Sequence, residues 1–239
     1  MFRTILFYPT VVLSLFVSTL ALPRMSYLKR KGRLKERTLF IHKITHGWAK
    51  FIMKISGAKV TVTGLENIPK DQTVLFMANH QSYFDIPLLM AAIDVPKGFI
   101  AKKELGTWPG ISTWMRHIQC IFMDRDNLRK SAQAIVEGIN ILKSGYSMVI
   151  FPEGTRSKGG ETHEFKGGSF KLATKPKVPI IPITINGTYK LLEQNNYKIK
   201  ADTINVVIHP LVDVKDLTKE EIIELPETLE NIIFSSLEK

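Results

Sequence analysis

The chain of 239 residues holds a single cysteine, Cys120, which excludes an intrachain disulfide and any metal centre built from several thiolates. Cys120 lies in the apolar run Ile118 to Met123, where a buried structural thiol is the expected role. Internal repeats and low-complexity tracts are missing as well. Acidic residues are almost absent from the first quarter: residues 1–60 carry twelve Lys and Arg against Glu36 alone. Residues 61–239 are balanced, with twenty-one basic and twenty-one acidic side chains, so the whole net charge of +11 sits at the N-terminus. A nucleic-acid binder spreads its basic residues over the folded domain. This distribution argues against a nucleic-acid partner and for a surface of anionic membrane lipids. At 44% hydrophobic and 23% charged residues, the composition is globular and excludes a disordered chain.

The basic segment follows an apolar one. Ile5 to Leu22 is apolar with Ser and Thr interspersed, and Pro9 is expected to break it. Eighteen residues of helix reach about 27 Å, just short of the roughly 30 Å of bilayer hydrocarbon. A secretory signal peptide has the same small basic start, but here the dense positive charge comes after the apolar run. Arg24, Lys29, Arg30, Lys31, Arg33, Lys35 and Arg37 would hold that side in the cytoplasm. Pro23–Thr38 has linker-like composition, and Leu39–Ile55 reads as a second helix. Its Ile41, Ile44, Trp48, Phe51, Ile52 and Ile55 fall at helical spacing, with Lys43, Lys50 and Lys54 off the stripe. Such a helix suits an interfacial anchor; a core helix packed on the main domain is the alternative. His42 and His46 stand at i and i+4, but no Glu separates them and no third ligand is evident. Solvated histidines are the expected reading there, and no metal site is expected. Residues 1–57 thus form an expected helical membrane anchor ahead of a domain spanning 58–239.

Beyond Ala58, strand-like and helical segments alternate. The strand candidates are Val60–Val62, Val74–Ala78, Gly98–Ala101, Ile118–Met123, Met148–Phe151, Ile180–Ile185 and Ile204–Ile208. Helical candidates are Pro87–Ile93, Arg129–Lys143 and a pair after Thr218. In Arg129–Lys143 the expected inner face is Ala132, Ile135, Val136, Ile139 and Leu142, with Gly145 as a stop. The alternation predicts an α/β domain whose mostly buried sheet is flanked by helices.

The segment Asn79-His80-Gln81-Ser82-Tyr83-Phe84-Asp85 leaves one of these strands and enters a helix. An imidazole accepts a proton near neutral pH, and a carboxylate on its other nitrogen fixes the tautomer. Five helical positions turn about 500°, so the pairing requires His80 in the loop and Asp85 in the first turn. Ser82-x-x-Asp85 also fits a capping box, a purely structural role. The strand Met148–Phe151 runs into Pro152-Glu153-Gly154-Thr155-Arg156-Ser157. Ligands of α/β sheets bind beyond the carboxyl ends of strands, where this loop emerges. Arg156 offers a fork for phosphate, Gly154 admits close backbone approach, and Glu153 can accept from substrate hydroxyls. A surface turn with a Glu/Arg pair is the plain alternative. Lys102 and Lys103 follow another strand and Arg125 a third, while Phe165-Lys166-Gly167-Gly168-Ser169 opens a helix-like run whose amides suit an anion.

Four blocks in order carry a resemblance: Asn79-His80 through Asp85, Phe122 to Arg125, Phe151 to Ser157, and Val178-Pro179-Ile180-Ile181-Pro182. On them the chain, over about residues 58–210, resembles the membrane-bound glycerolipid acyltransferases, and among these the lysophosphatidic acid acyltransferases. The resemblance implies acyl transfer from a thioester, on coenzyme A or acyl carrier protein, to the 2-hydroxyl of lysophosphatidic acid. It implies His80 as general base oriented by Asp85, with no covalent acyl-enzyme and no further cofactor. It assigns acceptor binding to Arg125, Glu153, Gly154, Thr155 and Arg156, with Lys102 in the same phosphate pocket. The fourth block has no firm role beyond shaping a site for acyl chains. Alternatives are the same chemistry on glycerol 3-phosphate or a lysophospholipid, or a noncatalytic membrane lipid-binding protein. The expected location is a membrane, with the catalytic domain on its cytoplasmic face.

Overall fold

The strands Leu75–Ala78, Ser147–Ile150 and Ile180–Asn186 are buried along their whole length, so the sheet must be covered on both sides, while Lys59–Thr63 is mostly exposed. The computed structural model describes residues 2–237 and forms that sheet from seven strands. They are β1 (Lys59–Thr63), β2 (Leu75–Ala78), β3 (Lys97–Lys102), β4 (Ile121–Met123), β5 (Ser147–Ile150), β6 (Ile180–Asn186) and β7 (Thr203–Ile208). Their order is β1-β7-β6-β2-β5-β3-β4. Strands β2 to β6 all run parallel; β7 turns back against β6, and β1 lies parallel to β7. The five parallel strands therefore end at one edge, and β2 is central.

Strict alternation divides the core. Leu75 and Met77 of β2 join Met148, Ile150 and Ile180 on one face, beneath α6 (Leu128–Lys143), α7 (Lys171–Thr174) and α8 (Lys219–Ser235). Phe76 and Ala78 join Val149, Ile181 and Ile183 on the other. That second face is covered by α3 (Leu34–Ser56) and α4 (Asp85–Ala92), with α5 (Ile111–His117) at its margin. The buried line of α6 is Ala134, Gly138 and Leu142, while Ala132 and Val136 face outward. Small residues set the inner face because the helix sits close: a Cβ on Gly138 would lie 2.5 Å from a Leu172 methyl.

Several expected boundaries shift for identifiable reasons. Ile118 closes α5 through its amide to Trp114, and Gln119 takes a left-handed turn, so β4 begins only at Ile121. The expected C-terminal helix pair is one helix, since Leu225, Leu229 and Ile233 form an unbroken buried stripe across Pro226. The expected linker Pro23–Thr38 is largely helical. There α2 (Leu22–Arg30) has Pro at its first turn and buries Met25 and Leu28, and Gly32 makes the turn into α3. Pro9 lies inside α1 (Phe2–Ser18), forgoing one helical bond.

Helices α1 and α2 form a nearly continuous run back along α3, and among the described residues only this run is long and apolar enough to cross a membrane. Four contacts tie α1 to the domain. Arg3 donates to the Ser56 carbonyl, Thr4 accepts from the Ile199 amide, Tyr8 donates to the Tyr197 carbonyl, and Trp48 donates to Ser14. Phe7 packs inward on Phe84, while Ile5, Leu6, Val12, Leu13, Phe16, Val17 and Leu20 remain outside. In α3, Ile41, Ala49, Ile52 and Met53 are buried in the sheet's own core, and Phe51 is the exposed member of the expected stripe. Of the two readings of this helix, a core helix on the main domain is the observed one.

Under α3 and α4, Lys97 is buried with its ammonium donating to the carbonyls of Ile93 and Val95. Burial pushes its pKa down to about 7. Between that value and about 10 the unfolded chain keeps a proton that the folded chain sheds, so raising the pH favours folding. Stability should rise from pH 7 to 9, although Cys120, pushed up to about 12 by burial, opposes the rise once the unfolded thiol starts to ionise at about pH 8. Melting temperatures across that interval are expected to climb, and Lys97→Met should flatten the climb.

Candidate active site

The site forms where the central strand runs out. Asn79 no longer pairs as a strand residue, yet its side-chain amide donates to the Ile185 carbonyl and accepts from the Ile185 amide. This extends the β2–β6 ladder by one step and sets the direction in which His80 leaves. Gln81 continues the pattern, accepting from the Gly187 amide.

Asp85 opens α4 and is completely buried. Its Oδ2 accepts from the amides of Gln81 (2.7 Å) and Ser82 (2.9 Å) and contacts His80 Nδ1 at 2.6 Å. Its Oδ1 accepts from the Thr188 hydroxyl at 2.5 Å. A buried carboxylate is tolerable only when its lone pairs are taken up, and here four donors do so. The carboxylate accepts only, so Nδ1 carries the proton and Nε2 keeps a lone pair. The imidazole stacks on Phe151, with centroids 4.0 Å apart and planes 17° apart, and keeps 15% of its surface exposed. Half of the capping-box reading also holds, since Asp85 receives the Ser82 amide. Ser82 Oγ, however, donates to Glu193 and accepts from the Phe84 amide. The carboxylate shapes the loop and orients the ring at once.

The loop after β5 lies alongside. The amides of Ser157 and Lys158 donate to the carbonyls of His80 and Gln81. Glu153 is 2% exposed, and its oxygens accept from the amides of His80 (2.6 Å) and His163 (3.1 Å). Burial raises its pKa, partly offset by those two amides. Glu153 thus braces the loop internally, each of its oxygens already holding one backbone amide.

Arg156 packs over the Tyr83 ring, 3.6 Å from its centroid, and its Nη1 donates to Glu193 at 3.1 Å. Glu193 also accepts from the Tyr83 amide, so part of the expected phosphate fork is already engaged. Arg125 donates to the Gly154 carbonyl from across the cleft. Gly154 turns at φ +71°, and a Cβ there would sit 2.9 Å from Lys166 Nζ. Arg125 and Lys166 thus flank one glycine, with exposed Thr155 next to it. Lys102 ends β3 at the same edge of the sheet and pairs with Glu104 at 3.3 Å. Lys103 is turned to Asp124 instead. The run after Phe165 yields only a short turn, Gly167–Phe170, ahead of α7, so no helix end long enough to hold an anion forms there. Val178–Pro182 is buried core: Pro179 accepts from Leu75, and Pro182 lies opposite Met77.

Sequence reasoning missed the loop after β6, which supplies Thr188 and Glu193. Asn186-Gly187-Thr188 leaves its strand as the other blocks leave theirs, and that position was the available signal.

Known proteins share this sequence pattern and fold. A family described as Acyltransferase matches residues 59–186. A 1-acyl-sn-glycerol-3-phosphate acyltransferase of Borreliella burgdorferi is 34% identical over 189 residues, 79% of this chain and 76% of that protein. A probable 1-acyl-sn-glycerol-3-phosphate acyltransferase of Mycoplasma pneumoniae is 39% identical over 153 residues, 62% of this chain and 56% of that one. The crystal structure of the 1-acyl-sn-glycerophosphate acyltransferase PlsC from Thermotoga maritima superposes with a TM-score of 0.85 at 31% identity, covering 97% of this chain and 92% of that one.

If Glu153 is an internal brace, Glu153→Gln sets an amide against one of two buried backbone N–H groups. A loss of about 1–3 kcal/mol is expected in denaturant unfolding. A residue that only touched substrate would leave the unfolding midpoint unmoved.

Proposed function

The chain belongs to the acyltransferase family, and on that footing we propose that it acylates the 2-hydroxyl of lysophosphatidic acid, giving phosphatidic acid. The observation that carries this reading is the 2.6 Å contact between His80 Nδ1 and the buried Asp85 carboxylate, which leaves Nε2 as a base on a ring still 15% exposed. The names of the relatives support the acceptor. The donor is a fatty acyl thioester on coenzyme A or acyl carrier protein, and the reaction needs no other cofactor.

In the proposed step the acceptor oxygen attacks the thioester carbonyl while His80 Nε2 takes its proton. The tetrahedral intermediate then expels the thiolate, which recovers that proton from the imidazolium. Ester and free thiol leave, and the imidazole is neutral again. Asp85 holds the tautomer and steadies the imidazolium between the two transfers. The phosphate of the acceptor is met by Arg125 and Lys166 around Gly154, with Lys102 and Arg156 further along the same edge; Thr155 stands beside them.

For the anchor we propose insertion in the plane of one leaflet. The support is the set of four ties that hold α1 along the domain while its other face stays apolar and exposed. Phe7 against Phe84 brings this face beside the loop of His80, so a lipid acceptor needs little travel. The basic segment after it favours the cytoplasmic leaflet and its anionic lipids.

His80→Ala should still unfold cooperatively, though with reduced stability for the lost Asp85 partner, and should lower acyl transfer to lysophosphatidic acid by at least about 100-fold. Asp85→Asn should also cripple turnover. Near-normal transfer by the His80 variant removes the assignment. In a mixed assay with glycerol 3-phosphate and a lysophospholipid at equal concentration, lysophosphatidic acid should be consumed first. Preference for either competitor would shift the reading to that acceptor.

A further inference from the structure

The pair His42 and His46 does not point into solvent. Helical spacing places both on one side of α3, with ring centroids 5.4 Å apart, and their side chains are only 15% and 13% exposed. Asp94, just past α4, closes the group. Its Oδ1 lies 2.7 Å from His42 Nε2 and 3.9 Å from His46 Nε2, and the three donor atoms all fall within 4.8 Å of one another. Around a tetrahedral zinc ion with bonds near 2.0–2.1 Å, donors stand about 3.4 Å apart. The two aspartate distances bracket that value.

A second feature is independent of these separations. His46 Nδ1 lies 2.8 Å from the carbonyl of Met90, which can only accept. That contact puts the proton on Nδ1 and directs the Nε2 lone pair toward Asp94. The same outer hydrogen bond fixes the tautomer of metal-bound histidines generally. Both rings also border a cavity of about 10 Å³ that Asp94 does not line, and Asp94 at 80% exposure leaves the three donor atoms an approach from solvent. Lys97 borders the same cavity but directs its ammonium to the carbonyls of Ile93 and Val95.

We infer that His42, His46 and Asp94 form a divalent transition-metal site, suited to zinc with water as fourth ligand. Two imidazoles and a carboxylate match its preference, and the absence of thiolates disfavours softer ions. The site is remote from His80 in the fold, at the opposite end of α4 from Asp85. A bound ion there joins α3 to the far end of the helix that begins with Asp85, which gives it a stiffening role. The inference stands apart from the acyl-transfer reading, since metal affinity is measured without substrate.

The full-length protein in detergent, stripped with chelator, is titrated with Zn2+ against a chromogenic competitor. One ion per chain, bound in the micromolar range or tighter, is expected, and Co2+ at the same site should give visible ligand-field absorption. Asp94→Ala, a surface change, and His46→Ala should each weaken Zn2+ binding by at least about 100-fold, beyond the loss of an outer hydrogen bond. Added Zn2+ should raise the melting temperature of the parent protein and not of these variants. No binding by the parent protein, or equal affinity in the parent and both variants, overturns the inference.

Discussion

A carboxylate with no exposed surface, placed at the start of a helix, is the constraint on which the rest of the site depends. Asp85 is stable there only because the amides of Gln81 and Ser82, the Thr188 hydroxyl and the His80 ring converge on it. Hydrogen bonds to a charged group contribute about 1.5–3 kcal/mol each, and losing one partner inside the protein costs more than it would at the surface. The loop from Asn79 to Asp85 consequently has one conformation. Glu153 braces the same loop from the β5 side and Asn79 from the β6 side, so neighbouring strands fix it from both flanks. His80 is aimed by strand geometry and not by its own rotamer preference.

The same logic joins the chemistry to the membrane. Phe84, one residue before Asp85, is where the apolar N-terminal helix rests its single buried side chain, Phe7. The unpaired apolar face of that helix and the cleft of His80 are thus parts of one structure. Under the proposed function this is a requirement, because the acceptor carries its hydroxyl and phosphate at the level of lipid headgroups. The shared core of α3 and the sheet keeps the distance between anchor and base constant.

The fold and the pair at its centre were legible in the sequence because both follow short-range rules. Each of the seven strands overlaps a segment expected to be one, and three of the four blocks fell at strand ends, where parallel topology gathers loops, while Val178–Pro182 leads into β6. What escaped depends on contacts between distant residues. Thr188 and Glu193 are more than a hundred residues from the loop they hold, and no local pattern marks them. Glu153 and Arg156 were found, but their partners inside the protein, the amides of His80 and His163 and the Glu193 carboxylate, were not. Pro23–Thr38 looked like a linker because its charges outnumber Met25 and Leu28, whose burial is what makes it helical. His42 and His46 looked solvated because Asp94 lies 48 residues beyond the nearer of them.

The central claim is that Asp85 fixes the tautomer of His80. Side-chain nitrogen NMR of protein labelled at histidine, with His80 assigned by its loss in His80→Ala, tests this directly at a pH where the ring is neutral. The expected spectrum has a protonated Nδ1 and an unprotonated Nε2, with Asp85→Asn altering the pattern. A neutral ring protonated at Nε2 in the unsubstituted protein would contradict the account.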